Sequence, residues 1–264
     1  MNIILRELRA NLKGLIIWCI GIIALVSGAS TELGTLQNES FDIAEVMKMF
    51  PESMYEALSF DLINFNTPEG YFSYIGEYLT MLAALYAVLA GVNILSKELR
   101  KKTSESLFTM PVTRSHIIRM KFVATLINSL IFTGVLYVGT LFSFMRFEPT
   151  QEFFTRLPLY FLFVFVVMVL FLSGGLCLSV LSKNQKRTGA IAAGITLLLY
   201  VLTFLVGIHE SFGFLKYITP FEYFSAITIL RGDPVAGYSF VVTPLLIILF
   251  AGISLTKITS KDIV

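Results

Sequence analysis

Six long apolar runs divide the chain, and polar segments separate them. A transmembrane helix needs about 20 mostly apolar residues to cross a hydrocarbon core of ~30 Å. The runs reach or approach that length, so the pattern predicts six transmembrane helices. Their expected bounds are 14–29, 73–95, 122–145, 157–181, 189–208 and 238–255. The predicted fold class is an all-α polytopic membrane protein, with residues 1–264 forming one transmembrane domain.

Two segments have a pattern between that of a span and that of a free loop. Residues 1–13 place leucines on one helical face and basic residues on the other, which predicts an amphipathic N-terminal helix in the membrane interface. The alternative is that they are the polar start of the first span. Residues 209–237 are too apolar for a loop and are broken at Pro220. We expect short re-entrant or interfacial helices there, packed on protein or lying shallow in the membrane.

The distribution of charge orients the six spans. The N-terminus, the 96–121 and 182–188 loops and the C-terminal tail carry fifteen of the 20 lysines and arginines. Residues 30–72 instead hold eight acidic residues and one lysine. Basic residues near span ends stay in the cytoplasm, so both termini are predicted to be cytoplasmic and 30–72 to be an extracellular loop. This loop is too short to bury a core of its own.

Composition supports a membrane protein and excludes several other classes. Hydrophobic residues make up 56% of the chain and charged residues 14%, against roughly 25% charged in soluble domains. A net charge of +2 gives no case for nucleic-acid binding. Cys19 and Cys177 lie in separate apolar runs without CxxC spacing, so we interpret them as apolar residues rather than a disulfide. The first apolar run is expected to be retained as a span, not cleaved as a signal peptide.

The sequence lacks the motifs that are typical of common catalytic and nucleotide-binding sites. It contains no GxxxxGK[ST] phosphate loop and no HExxH motif. His116 and His209 are predicted on opposite sides of the membrane, which excludes a shared metal site. Ionisable groups are scarce within the predicted spans, whereas ion-coupled carriers keep them there. We therefore predict no catalytic residues and no metal, and a protein that is powered by a partner.

The 96–121 loop is the most basic segment and the predicted contact with that partner. Thr103 is a plausible N-cap, the following residues make about two helical turns, and Pro111 ends them. Leu107 and Phe108 are the apolar side chains of this short helix, and Glu105 can set its register at the rim of a contact. The alternative is an ordinary basic loop that only orients the protein in the membrane.

Two spans carry small residues on one face. Ala83, Ala87 and Gly91 recur every four residues in the second span, and the fifth span opens with Gly189, Ala190 and Ala193. Small residues allow another helix to approach closely. We expect both faces to be helix contacts.

The 96–121 loop resembles that of ABC-2 type permeases, the transmembrane subunits of ABC exporters. The similarity lies in Glu98-x4-Thr103-x-Glu105-x-Leu107-Phe108, followed by Pro111-Val112-Thr113-Arg114 and then Lys121. Members of the family have Gly-Thr where this chain has Lys102-Thr103, and a leucine at Phe108. The layout of six spans and the broken segment before the last one are also similar.

This resemblance implies a function and a set of partners. The loop would act as a coupling helix that docks on a separate ABC ATPase subunit, which binds ATP and Mg²⁺. Two permease subunits would pair, as a homodimer or with a related second permease, in the cytoplasmic membrane of a bacterium. The residues implied in coupling are Glu98, Thr103, Ser104, Glu105, Leu107, Phe108, Thr109, Met110 and Pro111. The residues implied along a pathway or dimer interface are Ala83, Tyr86, Ala87, Gly91, Gly189, Ala193 and Tyr200.

Two other functions remain open from the sequence. One is a membrane assembly or sensor protein whose basic loop binds a different cytoplasmic partner. The other is a polytopic membrane enzyme, which the missing catalytic residues argue against. The apolar pathway with a few hydroxyls favours a hydrophobic or amphipathic cargo, such as a peptide, drug or lipid, without identifying it.

Overall fold

The computed structural model describes residues 3–38, 63–101, 114–208 and 210–260. Helices dominate these ranges, and no strand occurs within them. The long helices are α1 (Ile3–Asn38), α2 (Pro68–Lys101), α3 (Arg114–Phe144), α4 (Gln151–Leu181), α5 (Thr188–Ile208) and α8 (Ser239–Ser260). The short elements are two 3₁₀ helices, Met145–Phe147 and Glu210–Tyr217, and the helices α6 (Pro220–Tyr223) and α7 (Ala226–Arg231).

The predicted fold class is confirmed. Among the described residues, six helices are long and apolar enough to cross a membrane. They are the same six that the apolar runs predict. The protein is an all-α polytopic membrane protein.

The first helix differs from the expectation. Residues from Ile3 onward form one continuous helix with the first span, so the N-terminal amphipathic segment is not a separate element. The same helix continues past Ala29 to Asn38, and α2 begins at Pro68, before the predicted start at Ser73. At 36 residues and 1.5 Å per residue, α1 is about 54 Å long. It therefore extends well beyond a ~30 Å hydrocarbon core.

Helices α2 and α4 form the centre of the protein. Gly91 of α2 lies so close to α4 that an added Cβ would be 2.2 Å from the Leu172 carbonyl oxygen. The contact is reciprocal, because a Cβ on Gly175 of α4 would be 2.2 Å from the Val88 carbonyl oxygen. Helix backbones approach this closely only where side chains are absent. The small face of the second span is thus a helix contact, as predicted, and its partner is the fourth span.

Gly91→Ala tests this close approach. Because the methyl group has no room, α2 and α4 must separate, and we expect a loss of about 1–3 kcal/mol in the free energy of unfolding. Reversible unfolding in mixed micelles measures the change. Gly21→Ala is the matched control, since a Cβ at this helical glycine meets nothing within 4 Å. Equal stability of the two variants would contradict the packing described here.

The broken segment before the last span packs on protein, which was one of the two expected arrangements. Phe221, Tyr223 and Ala226 are all almost fully covered. Glu77 of α2 accepts hydrogen bonds from the Ser225 hydroxyl at 2.7 Å and from the Ile227 N–H at 3.4 Å. These bonds satisfy polar groups at the start of α7, where lipid offers no partner.

The end of the broken segment is fixed by α4. The Arg156 guanidinium donates a hydrogen bond to the Leu230 carbonyl oxygen at 2.9 Å and pairs with Glu152 at the same distance. Gly232 follows with φ of +82°, a left-handed conformation that closes helix α7 and that glycine adopts without strain. The hydrogen bond from Arg156 to Leu230 and the turn at Gly232 thus fix the end of this segment beside α4.

Candidate functional site

The structure describes the two ends of the predicted coupling loop. Residues Thr103, Ser104, Glu105, Leu107, Phe108, Thr109, Met110 and Pro111 lie outside the described residues. The backbone of Glu98 is helical within α2, and its side chain is outside the description. Helix α2 leads into the loop and α3 leads out of it. The contacts of these two helix ends therefore define the base of the candidate site.

A buried ion pair holds the α3 end. The Lys121 ammonium lies 3.2 Å from Oε1 of Glu7 on α1, and the two residues are 2% and 7% exposed. The Arg6 guanidinium lies 3.8 Å from the same oxygen. Breaking a buried pair is strongly destabilising, because it leaves a charge without compensation. The Lys121–Glu7 pair therefore ties α3 to α1 at this end of the bundle.

A hydrogen-bond cluster holds the α2 end. The Ser96 hydroxyl lies 3.0 Å from the Ser179 hydroxyl of α4 and donates to Oε1 of Gln185 at 2.6 Å. The Gln185 amide donates to the carbonyl oxygens of Ser179 and Ser182, at 2.8 and 2.9 Å. Lys97, the next residue of α2, donates to the Asn11 side chain of α1 at 3.4 Å. The end of α2 is thus joined to α4, to the 182–188 loop and to α1.

An apolar cluster lies beside these polar contacts and includes the last helix. Its members come from α2, α3, α4 and α8 and are Ile94, Leu95, Ile118, Leu176, Val180 and Ile258. The N-terminal end of α1, both ends of the 96–121 loop, the 182–188 loop and the C-terminal end of α8 therefore share one end of the bundle. We call it the basic end.

Residues of the 30–72 and 146–156 connections meet at the end of the bundle opposite to the basic end. Tyr71 donates a hydrogen bond to Glu32 at 2.8 Å, and the Thr150 N–H donates to Glu69 at 2.6 Å. Arg146 donates to the Ser30 hydroxyl at 3.2 Å. Successive polar segments thus lie alternately at the basic end and at the opposite end, in the order that the distribution of charge predicts.

Sequence reasoning missed Glu7 and Gln185. Glu7 is the one acidic residue in the first 31 positions, within a basic and apolar stretch. That isolation was the available signal, although nothing local in the sequence identifies Lys121 as its partner. Gln185 carries no comparable signal, because a glutamine in a short polar loop is ordinary.

The residues predicted along a pathway fall into two groups. Ala83, Ala87 and Gly91 are covered within this one chain, and Tyr86 is 7% exposed beside α1 and α3. On α5, Gly189 and Ala193 are half-buried and Tyr200 is 7% exposed. The two helices are in contact, since Gly189 would place a Cβ 3.8 Å from Leu89. Their role in a pathway or a dimer interface remains a prediction.

The described residues bring no metal-ligand set together. Within them, no three His, Cys, Asp or Glu side chains form a group that could hold an ion. The basic end instead offers buried polar joints between helices. Such an arrangement can transmit movement from one helix to another.

Six spans joined in this way define the class as a multi-pass membrane protein. The family model described as ABC-2 family transporter protein matches residues 1–258. The chain belongs to this family, and the resemblance found in the sequence is confirmed. Comparison with curated proteins finds no match for the chain. Members of the family work in general with an ABC ATPase.

Proposed function

We propose that this chain is the permease subunit of an ATP-driven exporter in the bacterial cytoplasmic membrane. Membership of the ABC-2 family carries the proposal, because it covers nearly the whole chain. The sequence has no phosphate loop of its own, so a separate ABC ATPase would bind ATP and Mg²⁺ and hydrolyse the nucleotide. The permease alone would have no ATPase activity.

The basic end would face the cytoplasm, where the ATPase is. This orientation follows from the excess of lysine and arginine in its loops. The helix predicted at 104–110 would dock in a cleft of the ATPase, with Leu107 and Phe108 as its apolar contacts. Glu98 and Pro111 would flank the contact.

Movement of that short helix would reach the whole bundle. Its α3 end is joined to α1 through Lys121 and Glu7. Its α2 end is joined to α4 through Ser96 and Ser179. Closure of the ATPase would thus reposition α1, α2, α3 and α4 together. The cargo would leave between two permease subunits, with the exposed face of α5 towards the second one.

Co-purification tests the proposal. We expect the tagged chain, extracted from its native membrane in mild detergent, to retain a protein that carries a phosphate loop and to hydrolyse ATP only with it. A control preparation of the chain alone should show no hydrolysis. Recovery of a stoichiometric partner without a nucleotide site would instead support the assembly or sensor protein.

A further inference from the structure

A cavity of about 180 Å³ lies between α1, α2 and α3, close to the basic end. Its wall is formed by Glu7, Ala10, Asn11, Gly14, Leu15, Trp18, Tyr86, Leu89, Ala90, Asn93, Ile94, Thr125 and Asn128. Gly14 and Asn93 are exposed, so the cavity reaches the protein surface between α1 and α2. The volume exceeds the ~150 Å³ of an engineered protein cavity that binds benzene. It admits a small polar head group and not a whole lipid.

Two largely buried residues in the wall have polar groups without a hydrogen-bond partner among the described residues. Asn128 is 3% exposed, and its amide makes no hydrogen bond to any described residue. Tyr86 is 7% exposed, and its hydroxyl likewise has no partner within the described ranges. Neither the Asn128 amide nor the Tyr86 hydroxyl is sealed inside the protein, so a molecule in the cavity can reach both groups. Both groups line the cavity, so a ligand with hydrogen-bonding groups would satisfy them there.

The charge of the wall selects an uncharged ligand. Glu7 is the one wall residue with a formal charge, and its carboxylate already faces Lys121 and Arg6. An ionic ligand would enter without a free counter-charge, and burying an unpaired charge is strongly unfavourable. A neutral group with hydroxyls or amides meets no such penalty.

Aromatic rings supply the apolar part of the wall. Trp18 and Tyr86 meet edge to face with centroids 5.8 Å apart, and Tyr86 stacks on Phe132 at 4.6 Å. Next to the cavity, Leu12 and Ile16 of α1 are exposed on a membrane-spanning helix. A molecule bound here has its polar group among amides and its remainder beside lipid. We propose that the cavity binds the uncharged hydroxyl- or amide-bearing head group of an amphiphile, within a single subunit.

Trp18 makes the proposal measurable, because it is the sole tryptophan of the chain and lines the cavity. The experiment titrates the full chain in phosphatidylcholine nanodiscs with octyl glucoside below its micellar concentration, recording Trp18 emission. Octylammonium and octyl sulfate are the charged probes of equal chain length. We expect saturable binding of octyl glucoside and only linear, partition-like changes with the charged probes.

Variants of the unpartnered groups separate binding from partition. Asn128→Leu and Tyr86→Phe are each expected to raise the half-saturating concentration at least about fivefold, which is the equivalent of one lost hydrogen bond. Thr140→Val is the matched control, because Thr140 is buried on the same helix and is not part of the wall. Unchanged half-saturation in both Asn128→Leu and Tyr86→Phe, or equal saturation by a charged probe, would overturn the proposal.

A second lipid composition identifies the source of the head group. Digalactosyldiacylglycerol carries an uncharged sugar head group, so a resident lipid of this kind would compete with the probe and raise its half-saturating concentration in nanodiscs of that lipid. An unchanged value would indicate an amphiphile that arrives from elsewhere, such as a transported molecule. The binding measurement does not involve an ATPase, so it can fail while the proposed export function holds, and the reverse.

Discussion

Leu107→Asp and Phe108→Asp are expected to leave the protein inserted in the membrane and to abolish its association with the ATPase. The two side chains are the predicted apolar contacts of the coupling helix. A buried anchor of an interface typically contributes 2 kcal/mol or more, and a carboxylate adds the cost of burying a charge. We expect the dissociation constant to rise roughly 30- to 1000-fold. Co-purification and ATP hydrolysis of the reconstituted complex measure the loss.

Phe108→Leu is the matched control for this pair. Leucine keeps an apolar side chain at the position and is the residue that the resemblance to ABC-2 type permeases implies there, so binding should persist. Membrane extraction and size-exclusion profiles should be the same for all three variants. A Leu107→Asp, Phe108→Asp double variant that still assembles and transports normally would contradict the assignment of the coupling helix.

Lys121→Met is expected to destabilise the folded protein by about 3 kcal/mol. The substitution removes the ammonium that lies 3.2 Å from Glu7 and leaves the carboxylate buried. Breaking a buried pair from one side costs about 3–5 kcal/mol, and the nearby Arg6 guanidinium places the expected value at the low end. Unfolding in mixed micelles gives the free energy directly.

The double variant Glu7→Gln, Lys121→Met distinguishes the ion pair from packing. Removing both charges leaves neither one uncompensated, so most of the stability should return. Gly21→Ala, at an exposed helical position, provides the baseline for a substitution that removes no contact. If the double variant is as unstable as Lys121→Met, the lysine acts through its contacts with other residues and not through Glu7.

Local pattern predicted the elements of this fold well. Each span is a long run of apolar residues, and such a run has few alternatives in lipid because backbone groups must bond within the helix. The ends of spans were harder to predict. Leu33 continues the buried face of α1 beyond the polar residues Ser30, Thr31 and Glu32, so the helix extends where hydropathy falls.

The contacts between helices could not be predicted from a single sequence. Small-residue spacing around Gly91 predicted a close helix approach, but nothing local identifies Gly175 of α4 as the other side. The pair of Glu7 and Lys121 has the same origin, because it forms only when α1 and α3 pack together. The cavity around Trp18 likewise results from three helices and has no signature in any one of them.

Part of the candidate site was predicted from the sequence, and part was found only in the structure. Its residues at 103–111 come from sequence and family resemblance alone, since they lie outside the described part of the chain. The joints at Lys121 and Ser96 come from the structure alone. Together they put the proposed docking segment between two helix ends that are fixed to the rest of the bundle.

Photo-crosslinking at position 108 tests the central claim most directly. A photoreactive phenylalanine analogue would replace Phe108 in cells, with Glu148 at the opposite end of the bundle as the exposed control position. We expect position 108 to crosslink to a protein with a phosphate loop and position 148 not to do so. A dominant crosslink from position 108 to a protein without a nucleotide site, or equal crosslinking of the ATPase at both positions, would contradict the account.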